Sequence, residues 1–196
     1  LIAKKKCKFF AKEVGFCGHI VGGGRRRPDP GKLVALQKWE EPRTITALRA
    51  FLGFTNYYSS YVKDYANLAA PLMECLKVDK TTGKKGSRAP VRFNPEQKAA
   101  FEQIKTRLCG GLELHNVQPD RPFILRVDAS NYAVGAALEQ FLEGPTERPT
   151  LEVLQTRPTV PVAFCSRKMT AGQIRTWSPR EKETYAIVLA LLKWSS

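Results

Sequence analysis

The sequence predicts an α+β fold in which a β-hairpin precedes a small helical bundle, and three antiparallel strands and a helix follow. Three observations indicate this order. Short apolar runs near the start are closed by Gly22-Gly-Gly24, and helical periodicity with capping residues then continues to Gly110. A period-two pattern of apolar residues begins at Phe123. We therefore expect a hairpin within residues 1–28, helices within 29–118 and the later strands within 119–196.

The hairpin rests on the apolar runs around Val14-Gly-Phe16 and His19-Ile-Val21, which are separated by turn-forming residues. Arg25-Arg26-Arg27 follows the triple glycine. Two interpretations of these arginines are open, a patch that contacts phosphates or a solvated turn.

Capping residues mark the starts of three helices in the middle of the chain. Asp29 precedes Pro30, Thr44 precedes an apolar run, and Asn94 precedes Pro95. The polar, glycine-containing stretch 79–90 predicts a linker between the second and third of these helices. Together the helices are expected to form a small basic bundle.

The helix after Thr44 has apolar residues on so wide an arc that we expect it to pack on more than one side. Gly53 within it indicates a bend or a close helix crossing. Tyr57, Tyr58 and Tyr61 either stack on nucleotides or pack in the core, and their helical spacing favours the core.

Positive charge is concentrated in the first three-fifths of the chain. The 32 Lys and Arg against 18 Asp and Glu leave a net charge of +14. Residues 1–118 hold 22 basic and 10 acidic residues (net +12), whereas residues 119–196 hold 10 and 8 (net +2). Such an excess is expected of a surface that binds a polyanion, and a basic face without a partner is the alternative.

Cellular location is indicated by what the sequence lacks. The five cysteines are widely spaced without a C-x-x-C pair, which favours reduced thiols in an intracellular protein. No apolar run approaches the roughly 20 residues of a membrane span, so no membrane partner is expected. The chain does not begin with Met and it ends within a helical pattern, which suggests a piece of a longer polypeptide.

Two acidic residues suggest a metal site. The strand that begins at Phe123 ends in Asp128, and a charge at the end of a buried strand is costly unless a cation, water or a basic side chain offsets it. After a third strand (160–165), Ser178-Pro179 begins a helix in which Glu183 has the helical spacing of Ile187 and Leu191. We therefore expect Glu183 to share the inward, apolar face of that helix.

Carboxylates at the meeting of strand and helix suit Mg²⁺, which prefers hard oxygen ligands. Two ions about 4 Å apart would activate a water and stabilise the leaving oxygen of a phosphodiester. Such a site normally needs more than two acidic ligands.

The motifs as a set resemble the end of the reverse transcriptase and the start of the ribonuclease H domain in gypsy-type LTR retrotransposon Pol polyproteins. The ribonuclease H resemblance rests on Asp128-Ala-Ser, Val162-Ala-Phe-Cys-Ser-Arg-Lys168 and Glu181-Lys-Glu-Thr-Tyr-Ala-Ile187 with Leu192-Lys-Trp194. The upstream motifs are Cys7-Lys-Phe-Phe10, Val14-Gly-Phe-Cys-Gly-His19, Pro28-Asp-Pro30, Leu48-Arg-Ala-Phe-Leu-Gly53, Tyr57-Tyr58 and Ala69-Ala-Pro-Leu72. By this resemblance residues 1–28 are the end of the palm, 29–118 the thumb and 119–196 the N-terminal part of the ribonuclease H domain.

The resemblance implies roles for individual residues. Asp128 and Glu183 match the first two metal-binding acids of the ribonuclease H site, which holds Mg²⁺ or Mn²⁺ as a two-metal site completed by acids outside this chain. The residues matched to nucleic-acid contacts are Phe16, Gly18 and His19 in the hairpin that grips the primer terminus, Arg49, Asn56 and Lys63 in the thumb, and Arg180 near the hybrid backbone.

The partners implied are an RNA–DNA hybrid or DNA duplex and the remainder of the Pol polyprotein, without a small-molecule cofactor. The implied location is the cytoplasm or a virus-like particle, and the fragment alone is expected to be inactive. A different class of function is the alternative, a non-catalytic basic module from a decayed or domesticated element that binds nucleic acid.

Overall fold

Two antiparallel sheets and a helical bundle make up the computed structural model, which describes residues 7–77, 89–144 and 149–195. This mixture of elements confirms the predicted α+β class. The strands are Glu13–Phe16 (β1), His19–Gly22 (β2), Arg25–Pro28 (β3), Leu114–His115 (β4), Ile124–Ala129 (β5), Ala133–Phe141 (β6) and Thr159–Lys168 (β7). The helices are Pro30–Gln37 (α1), Ile45–Tyr57 (α2), Tyr65–Glu74 (α3), Pro95–Cys109 (α4), Leu151–Thr156 (α5), Ala171–Thr176 (α6) and Pro179–Trp194 (α7), with a short 3-10 helix at Ser59–Tyr61.

The first sheet has the strand order β1-β2-β3-β4, and each neighbouring pair is antiparallel. Cys17 and Gly18 form a two-residue turn between β1 and β2, with φ of 47° and 76°. Positive φ at both central residues is what a type I′ turn requires, and this turn matches the twist of a hairpin. The predicted hairpin is confirmed. Because β4 pairs with β3, residues on both sides of the helical bundle share one sheet, and the boundaries at 28/29 and 118/119 stay a prediction.

Arg25 and Arg27 lie in β3, so the interpretation of the arginine run as a turn is wrong. Arg25 donates to Glu113 at 2.8 Å, and Arg27 donates to the two carboxylate oxygens of Glu13 at 2.9 and 2.8 Å. Glu13 lies on β1, two strands from β3, and Glu113 immediately precedes β4, so these ion pairs connect β3 to segments on both sides of it. The sequence alone does not distinguish this strand from a solvated turn, because the acidic partners are distant along the chain.

The three predicted helix starts are confirmed. The side chains of Asp29 and Thr44 accept from backbone amides of the first turn at 2.8 and 3.2 Å. Asn94 and Gln97 form a reciprocal capping box, with bonds of 2.8 and 3.0 Å. These caps satisfy backbone amides that no carbonyl within the helix can reach.

A fourth helix, α3, was not predicted. It contains Pro71, which has no amide hydrogen and normally ends or kinks a helix. It follows Asp64, whose backbone has φ of 56° in the left-handed region. Helix α3 packs against α4 and β7 and buries Tyr65, Ala69 and Leu72 in the core, which outweighs the unfavourable local sequence.

The main core lies inside the helical bundle and includes Phe51 and Phe101, whose ring centroids are 4.6 Å apart. Tyr58 and Tyr61 are each only 2% exposed, so their predicted place in the core is confirmed. Tyr57 differs, since it is 53% exposed. The buried core residues of this cluster are Leu36, Leu48, Phe51, Leu52, Tyr58, Tyr61, Val62, Tyr65, Ala69, Leu72, Ala100, Phe101, Ile104, Leu108 and Leu114.

Gly53 lies on the outer face of α2, and the expectation of a close helix crossing there is wrong. A Cβ built at this position would have no described atom within 4 Å, and the residue is exposed. Helix α2 continues through it from Ile45 to Tyr57. Packing within the described chain therefore gives no reason for a glycine here.

The second sheet has the order β5-β6-β7, and α7 packs on β5 and β6. This confirms the predicted three antiparallel strands followed by a helix. Two short helices that were not predicted, α5 and α6, lie before and after β7. Each begins at a threonine that caps it, Thr150 and Thr170.

Helix α7 is rotated from the expected orientation by about one residue, which is roughly 100°. Its buried positions are Lys182, Ala186 and Ala190, whereas Glu183 and Ile187 are exposed. The expectation that Glu183 lies on the inward face is therefore wrong. Small alanine side chains let the helix approach the sheet closely, and the aliphatic stem of Lys182 is buried beside them. The large apolar residues at helical spacing, Ile187 and Leu191, had indicated a different buried face.

Side chains of β5 alternate between the two faces of the second sheet. Val127 and Ala129 pack with Ala186 under α7. The opposite face contacts the helical bundle, where Ser166 of β7 accepts a bond from the amide of Ala66 at 2.9 Å and Lys168 donates to Glu74 at 2.7 Å. The sheet therefore lies between α7 and the bundle.

The predicted linker 79–90 falls mostly outside the described residues, which omit 78–88. At its end, Pro90 forms a bridge with Thr44. Within the described ranges, no helix combines the length and the hydropathy that crossing a membrane would require.

Replacing Ile104 with alanine tests the bundle core. Ile104 is 0% exposed, so the truncation should lower the free energy of unfolding by about 2–5 kcal/mol through lost burial and a residual cavity. Leu192, which is 72% exposed, provides the control, since Leu192→Ala should change it by less than about 0.5 kcal/mol. Urea denaturation followed by circular dichroism measures both, and equal effects would contradict the assigned core.

Candidate nucleic-acid interface and acidic site

The tip of the β1–β2 hairpin contains three of the predicted nucleic-acid-binding residues, Phe16, Gly18 and His19. Phe16 is 68% exposed, and β1 is exposed at every position. Gly18 has φ of 76°, and a Cβ there would lie 3.1 Å from the hydroxyl of Tyr58. Glycine is therefore required both by the turn and by the tyrosine beside it.

Three tyrosines at the end of α2 and in the following 3-10 helix hold this tip. Tyr57 donates to the carbonyl of Cys17, and Tyr58 donates to the carbonyl of Gly18 at 3.0 Å. The hydroxyl of Tyr61 lies 2.9 Å from Nδ1 of His19. Three consecutive residues at the hairpin tip, Cys17, Gly18 and His19, are thus bonded to one short segment of the bundle.

His19 lies within an aromatic cluster. Its ring stacks on Tyr57 and on Tyr61, with centroids 5.3 and 5.6 Å apart and interplanar angles of 21° and 23°. Burial, followed by the nearby positive charge of Arg26, lowers the pKa of His19 below its ordinary value of 6.5. Burial also raises the pKa of Tyr61 above 10, so the two rings are neutral at pH 7.

Arg26 connects the two sheets beside this cluster. Its guanidinium donates to the carbonyl of Val162 on β7 at 2.9 Å. Its Nε is buried without a hydrogen-bond partner among the described residues. The middle arginine of β3 therefore joins the hairpin sheet to the second sheet.

The outer face of α2 contains Arg49, Gly53 and Asn56, which follow one another at helical spacing and are all exposed. The side chains of Arg49 and Asn56 make no hydrogen bond or ion pair with another described residue. Tyr57, the next residue after Asn56, reaches the hairpin tip. This free face and the tip are therefore neighbouring parts of one surface.

Lys63 and Asp128 lie at the junction of the bundle with β5. Both line a cleft of about 50 Å³, which Asp64 and Arg126 also line. Asp128 pairs across the strands with Gly135, whose Cβ, if present, would lie 2.5 Å from Oδ1 of Asp64. Since paired residues point to the same face, Asp128 is on the face that contacts the bundle.

Glu183 and Arg180 are both exposed in the first turns of α7, on the other side of the sheet. Ser178 and Glu181 form a capping box there, and hydrogen bonds from the Ser178 amide and hydroxyl lower the pKa of Glu181. Glu181 thus serves the helix end, whereas the side chain of Glu183 has no described partner.

Helix α7, which contains Glu183, packs on β5, which contains Asp128. The two side chains nevertheless extend from different faces of the sheet. Their joint role in one cation site stays a prediction. Among the residues that the structure describes, no group of three or more His, Cys, Asp or Glu side chains is arranged to hold a metal ion.

The same fold occurs in solved reverse transcriptase structures. A foamy viral protease–reverse transcriptase in complex with an RNA/DNA hybrid matches with a TM-score of 0.74 and 20% identity over 96% of this chain and 23% of that one. A foamy viral protease–reverse transcriptase in complex with dsDNA matches with a TM-score of 0.70 and 20% identity, over 93% and 34% of the two chains. The fold class is therefore that of a segment of these enzymes.

Sequence comparison gives the family. The profile of the RNase H-like domain found in reverse transcriptase matches residues 93–196. The retrovirus-related Pol polyprotein from transposon gypsy of Drosophila melanogaster is 31% identical over 196 residues, covering 98% of this chain and 17% of the relative. That from transposon 297 of the same organism is 34% identical over 186 residues, covering 94% and 15%. The Tf2-3 polyprotein of Schizosaccharomyces pombe is 28% identical over 194 residues, covering 99% and 13%.

The chain belongs to the family of RNase H-like domains found in reverse transcriptase. Its resemblance to the reverse transcriptase and ribonuclease H region of gypsy-type Pol polyproteins is confirmed over nearly its whole length. It spans between 13% and 17% of the curated relatives quoted above.

Reasoning from the sequence missed the bonds between the tyrosines and the hairpin turn. The helical spacing of Tyr57, Tyr58 and Tyr61 indicates core packing and the residues around Gly18 indicate a turn, but neither pattern connects the two segments. The partners of the tyrosines are about 40 positions away, at residues 17–19. One feature of the sequence could have indicated these bonds. A buried tyrosine needs a hydrogen-bond partner for its hydroxyl, and the carbonyl groups of a tight turn can provide one.

The two histidines of the chain predict a pH dependence of stability. Burial is the first cause of a lowered pKa at both His19 and His115, followed by Arg26 and Arg25 respectively. The unfolded chain takes up protons near the ordinary pKa of 6.5, whereas the folded chain resists until lower pH. The free energy of unfolding should therefore fall as pH drops below about 6.5.

Denaturation from about pH 7.5 to about pH 5.5 measures this slope before most carboxylates titrate. His19→Gln should remove the contribution of the cluster and leave that of His115, and His115→Gln should do the reverse. A slope unchanged in the double variant would show that other groups cause it.

Proposed function

We propose that this chain is the part of a retrotransposon reverse transcriptase and ribonuclease H that holds an RNA–DNA hybrid or a DNA duplex. Polyproteins of this kind would act in the cytoplasm or in a virus-like particle. In this proposal the hairpin tip (Phe16, Gly18, His19) and the outer face of α2 contact the nucleic acid. Lys63 and Arg180 contact phosphates, and the relatives and the solved complexes support this class of ligand.

The free outer face of α2 is the observation that carries the proposal. A glycine in an exposed helix interior costs about 0.5–1 kcal/mol relative to alanine. Gly53 lies where a side chain would meet no described atom, between the unpaired side chains of Arg49 and Asn56. A glycine suits a place where another molecule approaches the helix closely. Arginine and asparagine beside it are suitable donors to phosphate and sugar oxygens.

The charge distribution supports a nucleic acid as this molecule. The segment that contains the hairpin and the bundle has a net charge of +12 of the total +14. Two of the three arginines of β3, Arg25 and Arg27, form ion pairs with acids of the chain, whereas Arg49 and Lys63 form no ion pair with a described residue. Free cations of this kind release counterions when they contact phosphates, so binding should weaken as salt rises.

The ribonuclease H role of Asp128 and Glu183 belongs to the same proposal. Both carboxylates are hard oxygen donors, are exposed and have no described partner, which leaves each of them free to bind Mg²⁺ or Mn²⁺. Two acids are too few for a two-metal site, so further ligands would come from outside the described residues. When bound, such ions supply an activated water and stabilise the leaving oxygen of the RNA strand. We expect this chain alone to bind hybrid without cleaving it.

Substitution of Gly53 separates binding from folding. Gly53→Ala should raise the free energy of unfolding by about 0.5–1 kcal/mol, and Gly53→Leu should fold equally well. Both should weaken binding of a fluorescent RNA–DNA hybrid, Gly53→Leu by about tenfold, because the side chain occupies the space of the ligand. Fluorescence anisotropy at several salt concentrations measures the Kd.

Gly172, an exposed helix glycine in α6, is the matched control for this experiment. A Cβ at this position would meet nothing closer than 3.9 Å, so Gly172→Leu should leave the Kd unchanged. Equal binding by wild type and Gly53→Leu would remove the outer face of α2 from the interface.

Asp128→Asn, introduced into a Pol polyprotein that contains this sequence and the rest of its ribonuclease H domain, tests the acidic site. It should lower Mg²⁺-dependent hybrid cleavage by roughly two orders of magnitude or more while hybrid binding is retained. Glu183→Gln should do the same. Glu181→Gln, two residues earlier in α7, weakens the helix cap and should leave cleavage largely intact. Undiminished cleavage by Asp128→Asn would exclude that carboxylate from the site.

A further inference from the structure

The hairpin tip needs support from outside its own sheet. β1 is an edge strand that is exposed along its whole length, and a short hairpin of this kind is marginally stable by itself. Yet Phe16 and His19, at the end of the hairpin, are proposed to contact the nucleic acid. Their position relative to α2 therefore depends on what holds the turn.

That support comes from the tyrosine clamp, defined as Tyr57, Tyr58 and Tyr61 bonded to Cys17, Gly18 and His19. Tyr58 and Tyr61 are 2% exposed, so their rings are fixed by the packed core of the bundle. Their hydroxyls extend to the tip, at 3.0 Å from the Gly18 carbonyl and 2.9 Å from Nδ1 of His19, and both rings also lie against the His19 ring. The amide of Asp29 also donates to the Gly18 carbonyl at 3.0 Å.

The clamp joins two parts of the proposed interface. Tyr57 directly follows Asn56 on α2, and its ring stacks on His19 of the tip. The bonds thus run from the helix that presents Arg49, Gly53 and Asn56 to the turn that presents Phe16. A surface made of two segments binds a rigid duplex well only when the segments are already held in register, because ordering them on binding costs affinity.

We infer that Tyr57, Tyr58 and Tyr61 are positioning residues, which hold the hairpin tip and the outer face of α2 as one preformed surface for the duplex. This inference rests on the proposed function. It differs from direct stacking of the tyrosines on nucleotides, since Tyr58 and Tyr61 act through the turn. It also differs from a purely structural role, since loss of a hydroxyl bond to the tip is expected to change hybrid affinity while the bundle stays folded.

The experiment removes hydroxyls while it keeps the rings. Tyr58→Phe and Tyr61→Phe should each raise the Kd for a fluorescent RNA–DNA hybrid by about fivefold. Hydrogen exchange at residues 16–19 should become faster in the free chain, because the tip has lost a bond to the bundle.

Tyr65→Phe is the matched control. Its hydroxyl is also buried and hydrogen-bonded, at 2.7 Å to Thr55, but it has no bond to the hairpin. It should match the clamp variants in its effect on thermal stability and leave the Kd unchanged. A Kd that rises as much in Tyr65→Phe as in Tyr58→Phe would show a general loss of folding and overturn the inference.

A double-mutant cycle with Phe16→Ala tests whether the hydroxyl acts through the tip. If it does, Tyr58→Phe should have much less effect when Phe16 is already removed. An undiminished effect in that background, or unchanged binding by Tyr58→Phe in the wild-type background, would overturn the inference and leave the proposed function intact. A wild-type chain that fails to bind hybrid would overturn both.

Discussion

Burial of one face of helix α2 is the constraint on which the arrangement of the hairpin and the bundle depends. Leu48, Phe51 and Thr55 on this face are 0% exposed, which fixes the rotation of the helix about its axis. Because that rotation is fixed, Arg49, Gly53 and Asn56 must face outward. The same constraint directs the hydroxyls at the end of the helix to the turn at residues 17–19. The burial of one face of α2 thus determines both which residues form its outer face and where the hairpin tip is held.

The second sheet obeys a comparable constraint, since consecutive side chains of a strand point to opposite faces. Val127 packs beneath α7, so its neighbour Asp128 must face the bundle. The sheet is therefore shared, with one face serving α7 and the other serving α3. Ser166 and Lys168 of β7 use this second face to contact Ala66 and Glu74.

Charge is used in two ways in this chain. In β3 the arginines have acceptors on other segments, including Glu13, Glu113 and the carbonyl of Val162, and they hold the fold together. On α2 the cation of Arg49 has no such acceptor among the described residues. A net charge of +14 therefore overstates the charge that is free to meet a ligand. Whether an arginine stabilises the fold or is free to bind a ligand depends on its distance from an acceptor group, and the net charge of the chain does not show this.

Local features of the sequence determined the class of the fold, the three capped helix starts, the hairpin turn and the strands around Asp128. These depend on contacts between residues a few positions apart, such as Asn94 with Gln97, and so they can be read from spacing. The family resemblance likewise follows from motifs that are present in the chain itself.

The tertiary structure alone decided the features that depend on partners far along the chain. In the folded chain α7 is oriented so that Ala186 and Ala190, and not Ile187, face the sheet, because small side chains allow the closest approach. Helix α3 forms although it contains Pro71, because packing on α4 and β7 compensates for the lost backbone hydrogen bond. The tertiary structure also pairs Tyr58 with Gly18 across 40 residues. No pattern of neighbouring residues encodes such a contact, since it forms only when separate segments pack together.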